Sequence, residues 1–456
     1  MTTARYHSVI LDEDACKGCT VCVTTCPVEA IRVRDGKARI LGERCIDCGE
    51  CIKRCPHHAK QALIDDFSLF MNPKRDSPFD YRIALPAPSL YGQFSEKYSI
   101  EQIHQGLLSL GFDAVYPVSA VTTAVSAAAR AFLDKKRYPD LPRPLISSSC
   151  PTIIKFIQIR FPSLLDHIVP VIAPMEIAAI LAKNAAKERL AEKPNLRIGC
   201  YFISPCSGKI TEAFAPLNGK HSAVDGVFAI KDVYLALIKT IGSGENHKKN
   251  AESVQIPSRD SADIPVFAPE IAWGRVGGEA ASTVTSKEIT TLSVDGMDQC
   301  RKILEAVEDG SLRHIDFLEL MACQEGCVGG PLVAINAPLA RHNLIQRELK
   351  TPIDSSHGIS RVKRESDAPA CVLIETFHAR PALLLDKNYR TAMRMMVEME
   401  TIYESLPGLD CGCCGAPNCH ALAEDIVRGV AKREDCVIIL KEQYLRLLED
   451  GKTIES

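Results

Sequence analysis

Two short segments constrain this chain more than anything else in it. Residues 16–27 read CKGCTVCVTTCP and residues 45–56 read CIDCGECIKRCP. Both spell C-x2-C-x2-C-x3-C-P, so the pair is an internal repeat. Three thiolates on one tight loop can reach three metal atoms of one compact centre, while the fourth cysteine points away across the domain. Pro27 and Pro56 end the loops. Zinc takes four ligands, whereas this repeat offers eight in two interleaved sets. The spacing is that of iron-sulfur ligation.

The repeat resembles that of two-cluster ferredoxins, in which the fourth cysteine of each run serves the other cluster. That resemblance assigns one [4Fe-4S] cluster to Cys16, Cys19, Cys22 and Cys55. It assigns the second to Cys45, Cys48, Cys51 and Cys26. Short β-type runs such as KARIL flank the loops, and His57 and His58 read as solvated neighbours of the second one.

The chain has 456 residues and 20 cysteines. Cysteines in a reducing compartment read as ligands or reactive thiols before they read as disulfides. Lys+Arg 54 against Asp+Glu 57 leaves a net charge of -3, which argues against a nucleic-acid surface. No apolar run is long enough for a transmembrane helix. The start lacks the apolar core of a secretory signal, so a cytoplasmic location is expected.

A second dense block lies near the end. Cys411-x2-Cys414-x4-Cys419-x16-Cys436 supplies three thiolates from one loop and a fourth from beyond a stretch, HALAEDIVRGVAKRED, with helical apolar periodicity. Cys413 is the odd one out and reads as a neighbour. The block looks like the small [4Fe-4S] modules that end several redox proteins, although zinc also suits a single four-cysteine set.

Between about residues 80 and 350 short β-like runs alternate with helical stretches, which predicts α/β layers built on parallel sheets flanked by helices. YRIALPAPS, DAVYPV, RPLISSS, LRIGCYFIS and DGVFAI are the strand candidates. Polar stretches at 243–264 and 352–369 read as loops. Three strand ends run into cysteine: Cys150 in LISSSCP, Cys206 in FISPCSGK, and Cys323 with Cys327 in ELMACQEGCVGGP. Ligands in α/β sheets bind at the carboxyl ends of strands. Each cysteine alone would pass for a small buried hydrophobe; together, and beside ferredoxin-type clusters, they read as a ligand set. Cys200, Cys300 and Cys371 have no partner at ligand spacing and read as core or loop thiols.

These three segments resemble the cluster-binding motifs of the large subunit of iron-only ([FeFe]) hydrogenases. The third is the most specific, running from Glu319 and Met321 through Cys323, Gly326 and Cys327 to Gly329 and Gly330. The second keeps Pro205, Cys206, Lys209 and Glu212, and the first keeps Cys150 and Pro151, with Phe161 and Pro162 further on. The resemblance implies that Cys150, Cys206, Cys323 and Cys327 hold a cubane. It further implies that Cys327 bridges to a two-iron subsite carrying CO and cyanide, the two parts forming an H-cluster. Lys209 would donate to a cyanide, and the glycines after Cys327 would let backbone approach the cofactor.

The departures from that family bear on function. Active members carry a proton-relaying cysteine before Cys150, and here Ser149 stands there as a far weaker acid. Ser204 replaces a methionine. The stretch TTAVSAAARAFLDKK offers alanines where glutamates of the outer proton path are expected. All three changes touch proton handling or polarity, and none touches a ligand cysteine. The pattern fits the branch regarded as hydrogen sensors. Two alternatives stay open: an enzyme with another proton route, or an electron-transfer or cluster-assembly protein that keeps only its cubanes.

The expected organisation is a two-cluster ferredoxin-like domain at 1–75, an H-cluster domain at 80–350 and a helical [4Fe-4S] module at 370–456. The expected reaction is reversible H2 oxidation to protons and electrons, slow or sensory, with Ser149, Lys209 and Cys327 at the reacting centre. Electrons would pass to ferredoxin or another redox or signalling protein, and maturation proteins would supply the two-iron subsite.

Overall fold

The computed structural model describes residues 7–72, 78–193, 195–216, 221–242, 268–350, 371–373 and 377–449. The stretches 243–264 and 352–369 read above as loops lie outside the described residues. The chain divides into two compact units, one of Met1–Ser8 with Leu63–Ala379 and one of Val9–Ala62 with Arg380–Ser456.

The second unit joins the two ends of the chain. Its amino-terminal part holds strands β1 (Val9–Leu11), β2 (Ile31–Arg34), β3 (Lys37–Ile40) and β4 (Lys60–Ala62). β1 pairs antiparallel with β4, and β2 with β3. Its carboxy-terminal part holds helices Tyr389–Glu404, Cys419–Val427 and Val437–Glu449. Asn418 caps the middle helix by accepting from Ala421 N at 2.7 Å. The sequence periodicity runs on to residue 435, but the helix stops at Val427, because Gly429 takes a left-handed turn at φ +72°.

Buried ion pairs fasten these two parts. The Asp425 carboxylate accepts from Arg32 Nε at 2.7 Å and Arg34 Nη2 at 2.6 Å. Glu424 is gripped by Arg44 and Arg428. Burial opposes the Glu424 charge, yet those two guanidinium groups hold its carboxyl below the ordinary range. Backbone joins as well, with Val33 N donating to Gly415 O at 2.8 Å. Replacing Asp425 by Ala leaves two guanidinium groups unpaired and is expected to cost about 3–5 kcal/mol. Thermal unfolding of the variant checks this, and a midpoint equal to wild type would contradict it.

The larger unit is α/β. β5 (Tyr81–Pro86), β6 (Ala114–Val115), β8 (Ile198–Ser204) and β9 (Gly226–Ala229) form one parallel sheet in the order β6-β5-β8-β9. β7 (Leu145–Ile146), β10 (Thr291–Asp295) and β11 (Phe317–Met321) form a second parallel sheet in the order β10-β11-β7. β8 is apolar almost throughout and buried from Gly199 onward, as a central strand covered on both faces must be. Helices flank both sheets, among them Ile100–Ser109, whose Ser99 and Gln102 form a capping box. Cys200, Cys300 and Cys371 are fully buried, which suits core thiols.

Candidate functional site

The site grows from the carboxyl ends of the parallel strands. β7 ends at Ile146 and the chain runs through Ser147 and Ser149 to Cys150, which precedes helix Pro151–Arg160 with proline in its first turn. β8 ends at Ser204, and Cys206 precedes helix Ser207–Phe214. β11 ends at Met321 and leads into Cys323 and a short 3-10 turn at Cys327–Gly329. β5 contributes Ala87 and Ser89 from the residues after its end. Switch-point geometry therefore brings distant motifs to one place.

They line one cavity of about 910 Å³ that includes Cys150, Cys206, Cys323, Cys327, Lys209 and Ser149. The four cysteines are thus brought together. Burial pushes the thiols of Cys150, Cys206 and Cys327 up, Cys206 to about 11, so each needs a metal to stay deprotonated in this cavity. Lys209 is also buried, which works against its charge, but Glu212 at 2.7 Å and the cysteines hold its pKa above the ordinary value. A lysine kept cationic beside four thiols suits an anionic, sulfur-ligated group.

Two features differ from the sequence reading. Ser204 does not join the cavity wall: its hydroxyl donates to Cys206 O at 2.9 Å and accepts from Cys206 N at 3.1 Å, fastening the cysteine loop. Gly330 lines the cavity, but a Cβ there would meet Pro205 O at 2.2 Å. Its small size is required by close docking of the third motif on the second, as well as by any approach to a cofactor.

A carboxylate that sequence reasoning missed also lines the cavity. Glu279 sits on helix Gly278–Thr283 and is buried. Both its carboxylate oxygens accept from Ser147 Oγ at 2.7 Å, and Ser149 hydrogen-bonds to it as well. Burial, then the neighbouring charge of Glu319, push its pKa up to about 8. Glu319 in turn accepts from Gly277 N, Ala280 N and Ser293 Oγ at 3.0–3.1 Å. The alanine-rich helix Thr122–Leu133 packs against the Glu279 helix, with Ser126 and Ser282 hydroxyls 2.7 Å apart. Its small side chains admit the helix that carries the carboxylate. An acidic residue inside the small, uncharged run GEAASTV was the one available sequence signal.

In the other unit the two interleaved cysteine sets separate cleanly. Cys16, Cys19, Cys22 and Cys55 line one cavity of about 330 Å³. Cys26, Cys45, Cys48 and Cys51 line another of about 350 Å³. Each cavity is bounded by four thiols and could hold one cubane. Cys414, Cys419 and Cys436 pack in one cluster, with Cys411 close enough for its charge to act on Cys414. Cys413 is exposed, with its Sγ 3.8 Å from Cys411 O. His57 and His58 are exposed.

The family model for the iron only hydrogenase large subunit, C-terminal domain, matches residues 80–266 and 270–331, more than half of the chain. The chain belongs to the iron-only hydrogenase large-subunit family. A 4Fe-4S dicluster domain model matches residues 8–56, and an Fe-S cluster model matches residues 406–438. Among curated relatives, the NADP-reducing hydrogenase subunit HndD of Solidesulfovibrio fructosivorans is 24% identical over 390 residues, 71% of this chain and 64% of that protein. The chain thus spans under two thirds of that relative's length. The periplasmic [Fe] hydrogenase large subunit of Nitratidesulfovibrio vulgaris is 22% identical over 367 residues, 72% of this chain and 86% of that protein. A solved [FeFe]-hydrogenase from Chlamydomonas reinhardtii aligns at 16% identity and a TM-score of 0.47, over 69% of this chain and 98% of that one. This chain is therefore an iron-sulfur protein of the hydrogenase family. Among its described residues no helix is long and apolar enough to cross a membrane.

Proposed function

We propose that this hydrogenase-family chain binds an H-cluster at Cys150, Cys206, Cys323 and Cys327 and interconverts H2 with protons and electrons at low flux, suited to sensing hydrogen. The observation that carries this reading is the single cavity in which four cysteines, a cationic lysine and a proton-holding carboxylate meet. Bound there, the cofactor supplies an iron site at which H2 is split heterolytically. Lys209 offers its ammonium to the anionic ligands while Glu212 orients it. Ser149 passes a proton between the cavity and Glu279. Glu319, whose charge acts on Glu279 and whose carboxylate accepts from the half-buried Ser293, is the next group through which that proton would leave.

The flux is low because a hydroxyl replaces a thiol at the first relay position. Electrons are exchanged through [4Fe-4S] clusters on the three cysteine sets of the other unit, with ferredoxin or another redox or signalling protein as partner. Maturation proteins supply the two-iron subsite, and the working location is the cytoplasm.

Iron and acid-labile sulfide analysis of the matured protein tests this. Iron in excess over sulfide supports the two-iron subsite, and a ratio near one moves the chain to the class that holds cubanes only. Replacing Ser149 by Cys is expected to raise H2 turnover by about tenfold or more. The assay is methyl-viologen reduction under H2 at equal cofactor loading. Unchanged turnover would refute the relay role of Ser149.

A further inference from the structure

Lys60 opens strand β4 and is 3% exposed. Its Nζ is buried and, among the described residues, has no hydrogen-bond partner. A buried ammonium without a counter-charge is costly to keep unless an anion completes its surroundings. Lys60 lines the cavity of Cys16, Cys19, Cys22 and Cys55 and not the one of Cys26, Cys45, Cys48 and Cys51. Its charge acts on Cys22 and Cys55 of the first set and reaches Cys51 of the second. Of the other lysines of this region, Lys37 Nζ donates to Cys16 O at 3.0 Å, Lys53 pairs with Glu50, and Lys17, which also lines the first cavity, is exposed.

A cubane ligated by four thiolates is anionic and becomes more so on reduction. Net charge and hydrogen bonding to sulfur are among the factors that set its potential. A fixed cation buried beside the cluster favours the reduced form most. We propose that Lys60 is the counter-charge of the cluster in the first cavity and raises its reduction potential above that of its neighbour. An electron entering the pair then rests first on the cluster beside Lys60. This rests on the assignment of [4Fe-4S] clusters to the two cysteine sets.

The test is an EPR-monitored redox titration of the full chain loaded with iron and sulfide. Lys60→Met keeps the length of the side chain and removes its charge. One cluster transition is expected to move to lower potential, with reduction about tenfold or more less favourable, while the others stay in place. Lys53→Met, which removes a solvated and paired charge, is expected to leave every transition where it was. An unshifted titration of Lys60→Met with all cluster signals present overturns the role of Lys60 alone. A wild-type protein without the two ferredoxin-type signals overturns the cluster assignment as well.

Should the variant load poorly, wild-type protein grown with Nζ-15N-lysine gives the answer by pulsed EPR. A 15N coupling to a reduced ferredoxin-type cluster that is lost in Lys60→Arg supports the proposal, and no coupling, or one unchanged in Lys60→Arg, overturns it.

Discussion

Replacing Glu279 by Gln lowers H2 turnover by about 10²–10⁴-fold, the usual worth of a positioned proton carrier. The amide keeps the volume of the carboxylate and can still accept from Ser147, whose hydroxyl lies 2.7 Å away. It can no longer take up and release a proton. The cofactor should load normally, so the infrared bands of the matured variant match wild type while the rate collapses. A variant with the same bands and an undiminished rate would place the proton path elsewhere. The same group makes stability pH-dependent. Its pKa in the fold, about 8, lies above its value of 4.5 in the free side chain. The proton it holds therefore stabilises the fold fully below about pH 4.5, and that contribution drains away as pH rises through about 8. Glu279→Gln should flatten this slope.

Replacing Cys327 by Ser abolishes the infrared bands of CO and cyanide and drops turnover to background. The hydroxyl occupies nearly the same space, but it is a poor iron ligand at neutral pH and cannot bridge two metal centres as a thiolate does. The ferredoxin-type EPR signals should survive, because their cysteines belong to the other compact unit. Cys300→Ser is the matched control. That thiol is fully buried, but it points at the carbonyls of Val294 and Met321, so the bands should remain. Loss of the bands in both variants would mean a general packing defect; their retention in Cys327→Ser would remove Cys327 from the ligand set.

Much of this site can be read from the chain because ligand spacing is local. Cys16 to Cys26 and Cys45 to Cys55 lie within single loops, and the crossed pairing with Cys55 and Cys26 is what the resemblance to two-cluster ferredoxins implies. Cys150, Cys206 and Cys323 each follow a strand, and parallel sheets deliver strand ends to a common crevice. What the chain does not announce depends on three-dimensional packing. Glu279 looks like a surface acid until the alanine-rich helix closes over its neighbours. Ser204 looks like a change in cavity polarity until its hydroxyl is seen turned onto the backbone of Cys206. Arg32 and Asp425 are 393 positions apart, and no periodicity links them. Their pairing emerges only when the first and last segments fold into one unit.

The central claim is that a complete H-cluster can be built in the cavity of Cys150, Cys206, Cys323 and Cys327. The direct measurement is an anaerobic infrared spectrum of the protein after maturation with a two-iron precursor, recorded under argon and then under H2. CO and cyanide stretching bands that shift on exposure to H2 are the predicted result. A spectrum without such bands, from protein whose cubanes are confirmed by EPR, would contradict it.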